Sequence, residues 1–366
     1  MRLSRVVPGN PSNARSDGTA PFLGGVVVPT MLDIDGSVGG GQLLRSSVAL
    51  AAVTGQDVHV TDVRAERPQP GLKPQHRAAL ETIARVTDAE LTGASERSRE
   101  VVFRPSSVQG GDYVVDVRTA GSVTLLFDTL LPLAVELSEP LTVTATGGTD
   151  VRWSPPMDYY RHVKLPLLRR FGLDASVSVE RRGFYPAGGG RATLTLRPSS
   201  LAPIELVERG DCETARVYSR AASQLEGAAV ADRQASRVAE RLDRPELPPV
   251  ETDVSYVESR SPGSVVVVAL TYDRSIAGFH ALGEKGKPSE EVADDAATDA
   301  LAFHRGTAAV DRHMADQLLV FLGLAGGEVT IPAVTDHVRT SSDLLSAFGL
   351  PVDVEPVEGG PARVNR

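Results

Sequence analysis

Cysteine is almost missing from this sequence: Cys212 stands alone among 366 residues. A single cysteine excludes an internal disulfide framework and a cysteine-rich zinc site, and it suits a reducing compartment. Long apolar runs are missing as well. The densest, 265–270, falls far short of the ~18 residues that span a bilayer, so a soluble, cytoplasmic chain with no membrane role is expected. Positive charge is in deficit, with 38 Lys+Arg against 47 Asp+Glu and a formal net charge of −9. Proteins that coat a nucleic-acid backbone neutralise its phosphates with many lysines and arginines, so that class is disfavoured. Recognition of one phosphate or one strand end is not excluded. No Gly-Lys-Ser/Thr follows a glycine run, which removes the P-loop. No two of the histidines (59, 76, 162, 280, 304, 313, 337) have the i, i+4 spacing of a helical zinc site. After Arg2 and Arg5, a Pro/Gly/Asn/Ser stretch occupies the place where a signal peptide needs an apolar segment, so 1–28 reads as a disordered leader.

What is present alternates. Short β-branched runs at 57–63, 101–104, 113–117, 141–146, 175–181 and 191–196 predict strands. Apolar residues recurring at three and four predict helices over 42–54, 74–84, 122–135, 159–171 and 312–323. The mixture reads as α+β. Glycine turns recur at 36–41, 120–122, 147–149, 187–190 and 325–327 at irregular spacing, which argues for repetition of one β/α unit and not for a solenoid. At 366 residues the chain exceeds the roughly 100–200 of one domain. A strand at 215–220, a polar helix at 225–242, two or three strands over 252–282 and a helix at 289–303 form a smaller α/β insert at 212–308. The remainder, 29–211 and 309–366, makes one discontinuous large domain.

Four stretches carry chemistry. IDGSVGGGQLLRSS (34–47) places glycines before a helix whose first turns hold Gln42 and Arg45, and the exposed backbone N–H groups of such a turn attract anions. A plain strand-to-helix connector is the competing reading. VRAERPQPGLKPQHRAAL (63–80) gathers Arg64, Arg67, Lys73, Gln75, His76 and Arg77 in an otherwise acidic chain. Guanidinium forks match phosphate oxygens, so this is the candidate oligoanion site; a solvated basic loop is the alternative. Asp128 is the one charge in the apolar helix VTLLFDTLLPLAV, where a carboxylate must be paired, functional or on a wet face. His337 sits at a loop-to-helix junction with Thr335, Arg339, Thr340 and Ser341. Imidazole attacks at neutral pH, and its P–N bond is labile enough to pass a phosphoryl group onward.

Taken with GGDYVVDVRTAGSVTLLFDTLLP, GGTD, RGFYPAGGG, VDRHMADQLLVFLGLAGG and TDHVRTSSDLLSAFG, these stretches resemble the RNA 3′-terminal phosphate cyclase family in its own order, from about residue 32 to 350. The resemblance implies a large domain of three β/α repeats carrying a smaller insert. It also implies an activity: ATP adenylates a histidine, AMP passes to an RNA 3′-phosphate, and the 2′-hydroxyl closes a 2′,3′-cyclic phosphate. By position the nucleophile falls on His337 and the nucleotide segment on His313, Met314, Ala315, Asp316 and Gln317, with His313 where the family often has a tyrosine. Asp128 falls where it often has a glutamine. Arg45, Arg64, Arg67, Gln75 and His76 match the set that engages phosphates. ATP, a divalent metal (Mg or Mn) and RNA 3′-phosphate ends are the implied cofactors and partner. The family's usual glutamate before the glycine run is Val38 here, leaving Asp35 or Asp128 as the metal candidates, and Ser341 and Ser342 replace Asn-Ile. Two other readings are weighed against cyclase activity: a cyclase-like protein that binds RNA or ribonucleoprotein without turnover, and an enolpyruvyl-transferase-like enzyme, for which the histidine and ADQ motifs have no task.

Overall fold

The structure is a computed structural model that describes residues 31–366; the leader expected at 1–28 lies outside the described residues. Alternation of β-branched runs and amphipathic stretches produces a first sheet in which β1 (Leu32–Asp35) runs parallel to β2 (Val58–Thr61) across the helix α1 (Gly40–Thr54). The helix α2 (Pro74–Val86) leads to β3 (Glu90–Thr92) and β4 (Val101–Arg104), giving the order β1-β2-β4-β3. A second sheet follows with β5 (Gly111–Asp116), α3 (Val123–Leu130), β6 (Leu141–Gly147), α4 (Met157–Tyr159), α5 (Leu165–Arg169), β7 (Ala175–Arg181) and β8 (Gly190–Leu196), in the order β5-β6-β8-β7. β9 (Ile204–Leu206) finds its partners only near the end of the chain.

Before them come β10 (Cys212–Ala222), α6 (Val230–Leu242), β11 (Val250–Val257), β12 (Ser264–Tyr272), β13 (Ile276–Leu282) and α7 (Ser289–Arg305), a sheet of order β11-β10-β12-β13. Then α8 (Arg312–Gln317), α9 (Leu319–Ala325), β14 (Gly327–Ile331), α10 (Asp336–Ala347), β15 (Asp353–Glu355) and β16 (Ala362–Asn365) complete the sheet that β9 began, in the order β9-β14-β16-β15. In each of these three sheets the first two strands pair parallel, and the fourth lies between the second and third, antiparallel to both. Four small mixed sheets and flanking helices agree with the α+β expectation.

Two apolar clusters result. The larger joins the three sheets and their helices; the smaller is drawn from residues between Ala215 and Ala308. The period of two in β12 divides its valines, since Val266 and Val268 face α6 and α7 while Val265 and Val267 join the larger cluster. Buried charge crosses the same contact. Asp158 takes Arg182 Nη2 at 2.6 Å and Arg220 Nε at 3.3 Å, and Arg182 Nη1 reaches both Asp150 oxygens at 3.1 Å. Burial pushes the Asp158 carboxyl up, but Arg182 and Arg220 outweigh it and hold it below the usual range. Stacking of His162 on Tyr218, with ring centroids 3.9 Å apart, adds to this seam.

Four expected helices are interrupted; the one at 225–242 divides at Ala229, whose φ is +48°, into a 3-10 turn at Ser223–Ala228 and α6. The one at 122–135 tightens into a 3-10 turn at Leu131–Val135, where Pro132 withdraws a backbone donor. The one at 159–171 begins earlier, at Met157, and passes through a π-turn at Tyr160–Lys164. The one at 312–323 divides at Leu318 into α8 and α9.

Candidate active site

Side-chain caps set the starts of three helices. Asp311 caps α8 by accepting from the N–H groups of His313 and Met314 at 2.9 Å, Ser122 caps α3, and Thr335 caps α10. The start of α1 joins them: Gln42 Nε2 donates to Asp316 Oδ2 at 2.8 Å on α8 and to Ser341 Oγ at 3.4 Å on α10. Gly39 has φ +74°, and a Cβ there would come within 2.7 Å of Thr340 Cγ2, so the glycine turn rests directly on α10. His337 and Thr340 line a small crevice together with Gly39, Gln42, Ser341 and Leu344. The glycine turn, the ADQ segment and the candidate nucleophile, far apart in sequence, thus share one site. His337 is exposed at its rim.

The basic stretch lies on the other side of the turn. Arg67 packs its guanidinium over Gly40, and a Cβ on Gly41 would collide with His76 Nε2. His76 is buried, and its Nδ1 accepts from the Lys73 N–H at 3.2 Å. Burial, reinforced by Arg45, Arg64 and Lys73, pushes His76 down to about 3. It is therefore neutral at pH 7, with the remaining proton on Nε2 facing the glycine turn. Arg64 is buried; its Nη1 donates to the carbonyls of Gln69 at 3.0 Å and Gly71 at 2.7 Å, so half of its fork shapes its own loop. Gln75 Oε1 accepts from the Ser122 N–H at 3.3 Å, tying α2 to the cap of α3. Arg45 is partly buried; burial lowers its pKa, and the charges of Asp128 and Asp316 oppose that shift.

Asp128 resolves in favour of pairing. Lys164 Nζ lies 2.6 Å from Asp128 Oδ1 and 2.8 Å from Gln317 Oε1, with the lysine side chain 3% exposed. Burial raises the Asp316 carboxyl, against the Gln42 hydrogen bond and the nearby His337. Met314 and Ala315 are buried in the larger core, so their side chains hold α8 in place. His313 is exposed and meets Tyr159 edge-on at 6.4 Å and His280 at 5.1 Å between ring centroids. Asp35 is exposed, its Oδ1 accepting from the Ser37 N–H at 2.9 Å, and Val38 is 49% exposed. Among the described residues no three His, Cys, Asp or Glu side chains gather closely enough to hold a metal ion.

Sequence reasoning missed Lys164, Tyr159, His280 and Asp311. Lys164 carried a weak signal, a cation set between the apolar Val163 and Leu165 in one predicted helix; the others meet only through long-range pairing. Asp311 accepts from the Tyr159 hydroxyl at 3.0 Å and from the Gly278 N–H at 2.9 Å, which anchors α8 against β13.

Comparison with known proteins gives a consistent result. Residues 37–354 match the family described as RNA 3'-terminal phosphate cyclase. A protein of that name from Halobacterium salinarum is 47% identical over 338 residues, covering 89% of this chain and 97% of the relative. One from Methanopyrus kandleri is 41% identical over 350 residues (92% and 98%), and one from Pyrococcus furiosus is 39% identical over 320 residues (87% and 93%).

Proposed function

The chain belongs to the RNA 3′-terminal phosphate cyclase family, and on that premise we propose that it is an enzyme converting an RNA 3′-terminal phosphate into a 2′,3′-cyclic phosphate at the expense of ATP. The observation that carries the reading is the double hydrogen bond of Gln42 to α8 and α10, which sets the ADQ segment beside His337 at the glycine turn. A ring nitrogen of His337 attacks the α-phosphorus of ATP, the P–N bond forms, and pyrophosphate leaves. An oxygen of the RNA 3′-phosphate then attacks the same phosphorus, breaking the P–N bond and giving an adenylated RNA end. The neighbouring 2′-hydroxyl finally attacks the 3′-phosphorus, losing its proton, and AMP departs.

In each step negative charge grows on phosphate oxygens. Arg45 and Arg67 stand at the glycine turn as its stabilisers, with the neutral His76 donating through Nε2. Gln75 orients α2 for this task, and Arg64 shapes the loop that carries Arg67. His313 offers a ring face to adenine, Asp316 and Gln317 supply polar atoms near it, and Asp128 acts there through Lys164. Among the described residues the two candidate metal donors do not form a site: Asp35 is exposed and spends one oxygen on Ser37, Asp128 is paired with Lys164, and Val38 offers no ligand. A divalent ion is expected only as the counter-ion of the ATP phosphates, and no step is assigned to it.

We also read 29–211 with 309–366 as a large domain of three β/α units, with 212–308 inserted into the third; the common strand order supports this. Mass spectrometry after incubation with α-labelled ATP tests the chemistry. The label is expected on the peptide containing His337 and should vanish in His337→Ala. An unlabelled wild-type protein that still binds a 3′-phosphorylated oligonucleotide would overturn the reaction and leave RNA binding without turnover.

A further inference from the structure

Outside the site just described, a cleft of about 700 Å³ runs along β13 and α7, with Arg152 and Trp153 also in its lining. Trp153 is 92% exposed. Its φ is +63°, a left-handed backbone that costs a bulky side chain roughly 1–2 kcal/mol and that glycine takes freely. The loop is not loose: Arg152 Nη2 pairs with Glu284 Oε1 at 2.6 Å across the cleft. A large aromatic ring is therefore held in water, on a strained backbone, at the mouth of a cavity.

His280 also lines this cleft. Its ring lies 5.1 Å from that of His313 and 5.9 Å from that of Tyr159, so an aromatic cluster continues from the cleft to α8, where the ADQ segment begins. His280 Nδ1 is buried without a hydrogen-bond partner. Burial pushes His280 down to about 3, so it presents an uncharged ring. Four carboxylates and two cations line the walls: Glu284 pairs with Arg152, Asp295 with Lys287, and Asp294 with Arg237 and Arg241, while Asp299 adds a further negative charge. Walls whose cations are already paired offer a run of backbone phosphates no free partner and accept a flat, neutral ring.

We propose that Trp153 is a stacking residue for the base of ATP, covering the outer face of the ring system whose inner side meets His280 and His313, and so a determinant of nucleotide affinity. This rests on the proposed use of ATP. The phosphates then point away from the acidic walls, toward the glycine turn and Arg67. Aromatic stacking on a base is worth enough to change affinity about 5- to 100-fold.

Trp153 is the only tryptophan of the chain, so intrinsic fluorescence reports this position alone. The full-length protein is titrated with a non-hydrolysable ATP analogue, with tripolyphosphate, and with a 3′-phosphorylated oligonucleotide. The analogue is expected to quench the emission and to shield it from acrylamide, and tripolyphosphate to do neither. Trp153→Gly, which relaxes the backbone and should melt no lower than wild type, is expected to raise the KM for ATP about 5- to 10-fold with kcat unchanged; Trp153→Phe should recover most of that loss. Unchanged fluorescence at ATP concentrations that fully label His337 would overturn the proposal, as would a response to the oligonucleotide alone. Quenching by ATP in a protein that never labels would sustain Trp153 and sink the adenylation chemistry instead.

Discussion

The Lys164–Asp128 pair offers the sharpest energetic test of the site. The two side chains are 3% and 15% exposed, and Nζ also reaches Gln317 Oε1 at 2.8 Å. At an effective dielectric of ~20, unit charges separated by the observed 2.6 Å attract by about 6 kcal/mol, most of which offsets the loss of hydration. Lys164→Met leaves a carboxylate among Leu and Phe and strips the amide oxygen of its donor, which should cost about 3–5 kcal/mol. Asp128→Leu leaves a buried ammonium with one neutral acceptor and should cost about 2–4 kcal/mol. The double variant removes both charges and should lie within about 2 kcal/mol of wild type, because the pair contributes little net stability even though breaking it is expensive. Urea unfolding at pH 7 with an unchanged m value measures all three. The expected coupling is at least about 3 kcal/mol by this estimate. Single effects that add to within about 0.5 kcal/mol would refute the idea that the two charges share one enclosed environment.

Acid should weaken the fold through its buried histidines. His76 and His280 are each pushed from 6.5 to about 3 by burial, so they resist protonation in the native state while the unfolded chain accepts the proton. Their stabilisation is complete above pH 6.5 and is lost as pH falls toward 3, by up to about 2 kcal/mol per histidine between pH 6.5 and 5. Urea midpoints over that range should fall, and His76→Gln should flatten the dependence; a flat wild-type profile would contradict the burial argument. Gly41→Ala should place a methyl against His76 Nε2, lower the melting temperature and weaken binding of a 3′-phosphorylated oligonucleotide. Binding of that oligonucleotide should depend weakly on salt, with a log–log slope no steeper than about −4, the value for roughly six neutralised phosphates on a single strand.

Much of this was legible in the sequence. The predicted strands at 101–104 and 175–181 coincide with β4 and β7, and the strand at 215–220 and helix at 289–303 fall within three residues of β10 and α7, whereas the helix predicted from 225 starts only at Val230. Those segments have a clear period, two for half-buried strands and three to four for helices, and firm punctuation by Gly and Pro. β9, β14 and β16 are short, and their pairing joins residues on either side of a long intervening segment, so nothing local announces them. The site divides in the same way. His337, His313 and the basic stretch stand out by residue type, whereas Lys164 and Asp311 act through partners that only the fold supplies.

The distribution of partners explains how an acidic chain can engage a phosphate. About half of the arginines among the described residues are matched with carboxylates, for example Arg77 with Glu81, Arg99 with Asp62, Arg191 with Glu180 and Arg233 with Glu290. Among the described residues, Arg45, Arg64 and Arg67 have no carboxylate within 4 Å; Arg67 lies on the glycine turn, and Arg45 and Arg64 act on His76 beside it. Their shared field is felt at His76, which Arg45 and Arg64 help to keep unprotonated. An incoming phosphate therefore meets positive charge that no side chain has neutralised, at a turn lined with backbone N–H groups, while the rest of the surface repels the strand beyond it. The net charge of −9 then works with this site, because it confines attraction to the end of the RNA, where the reacting phosphate is.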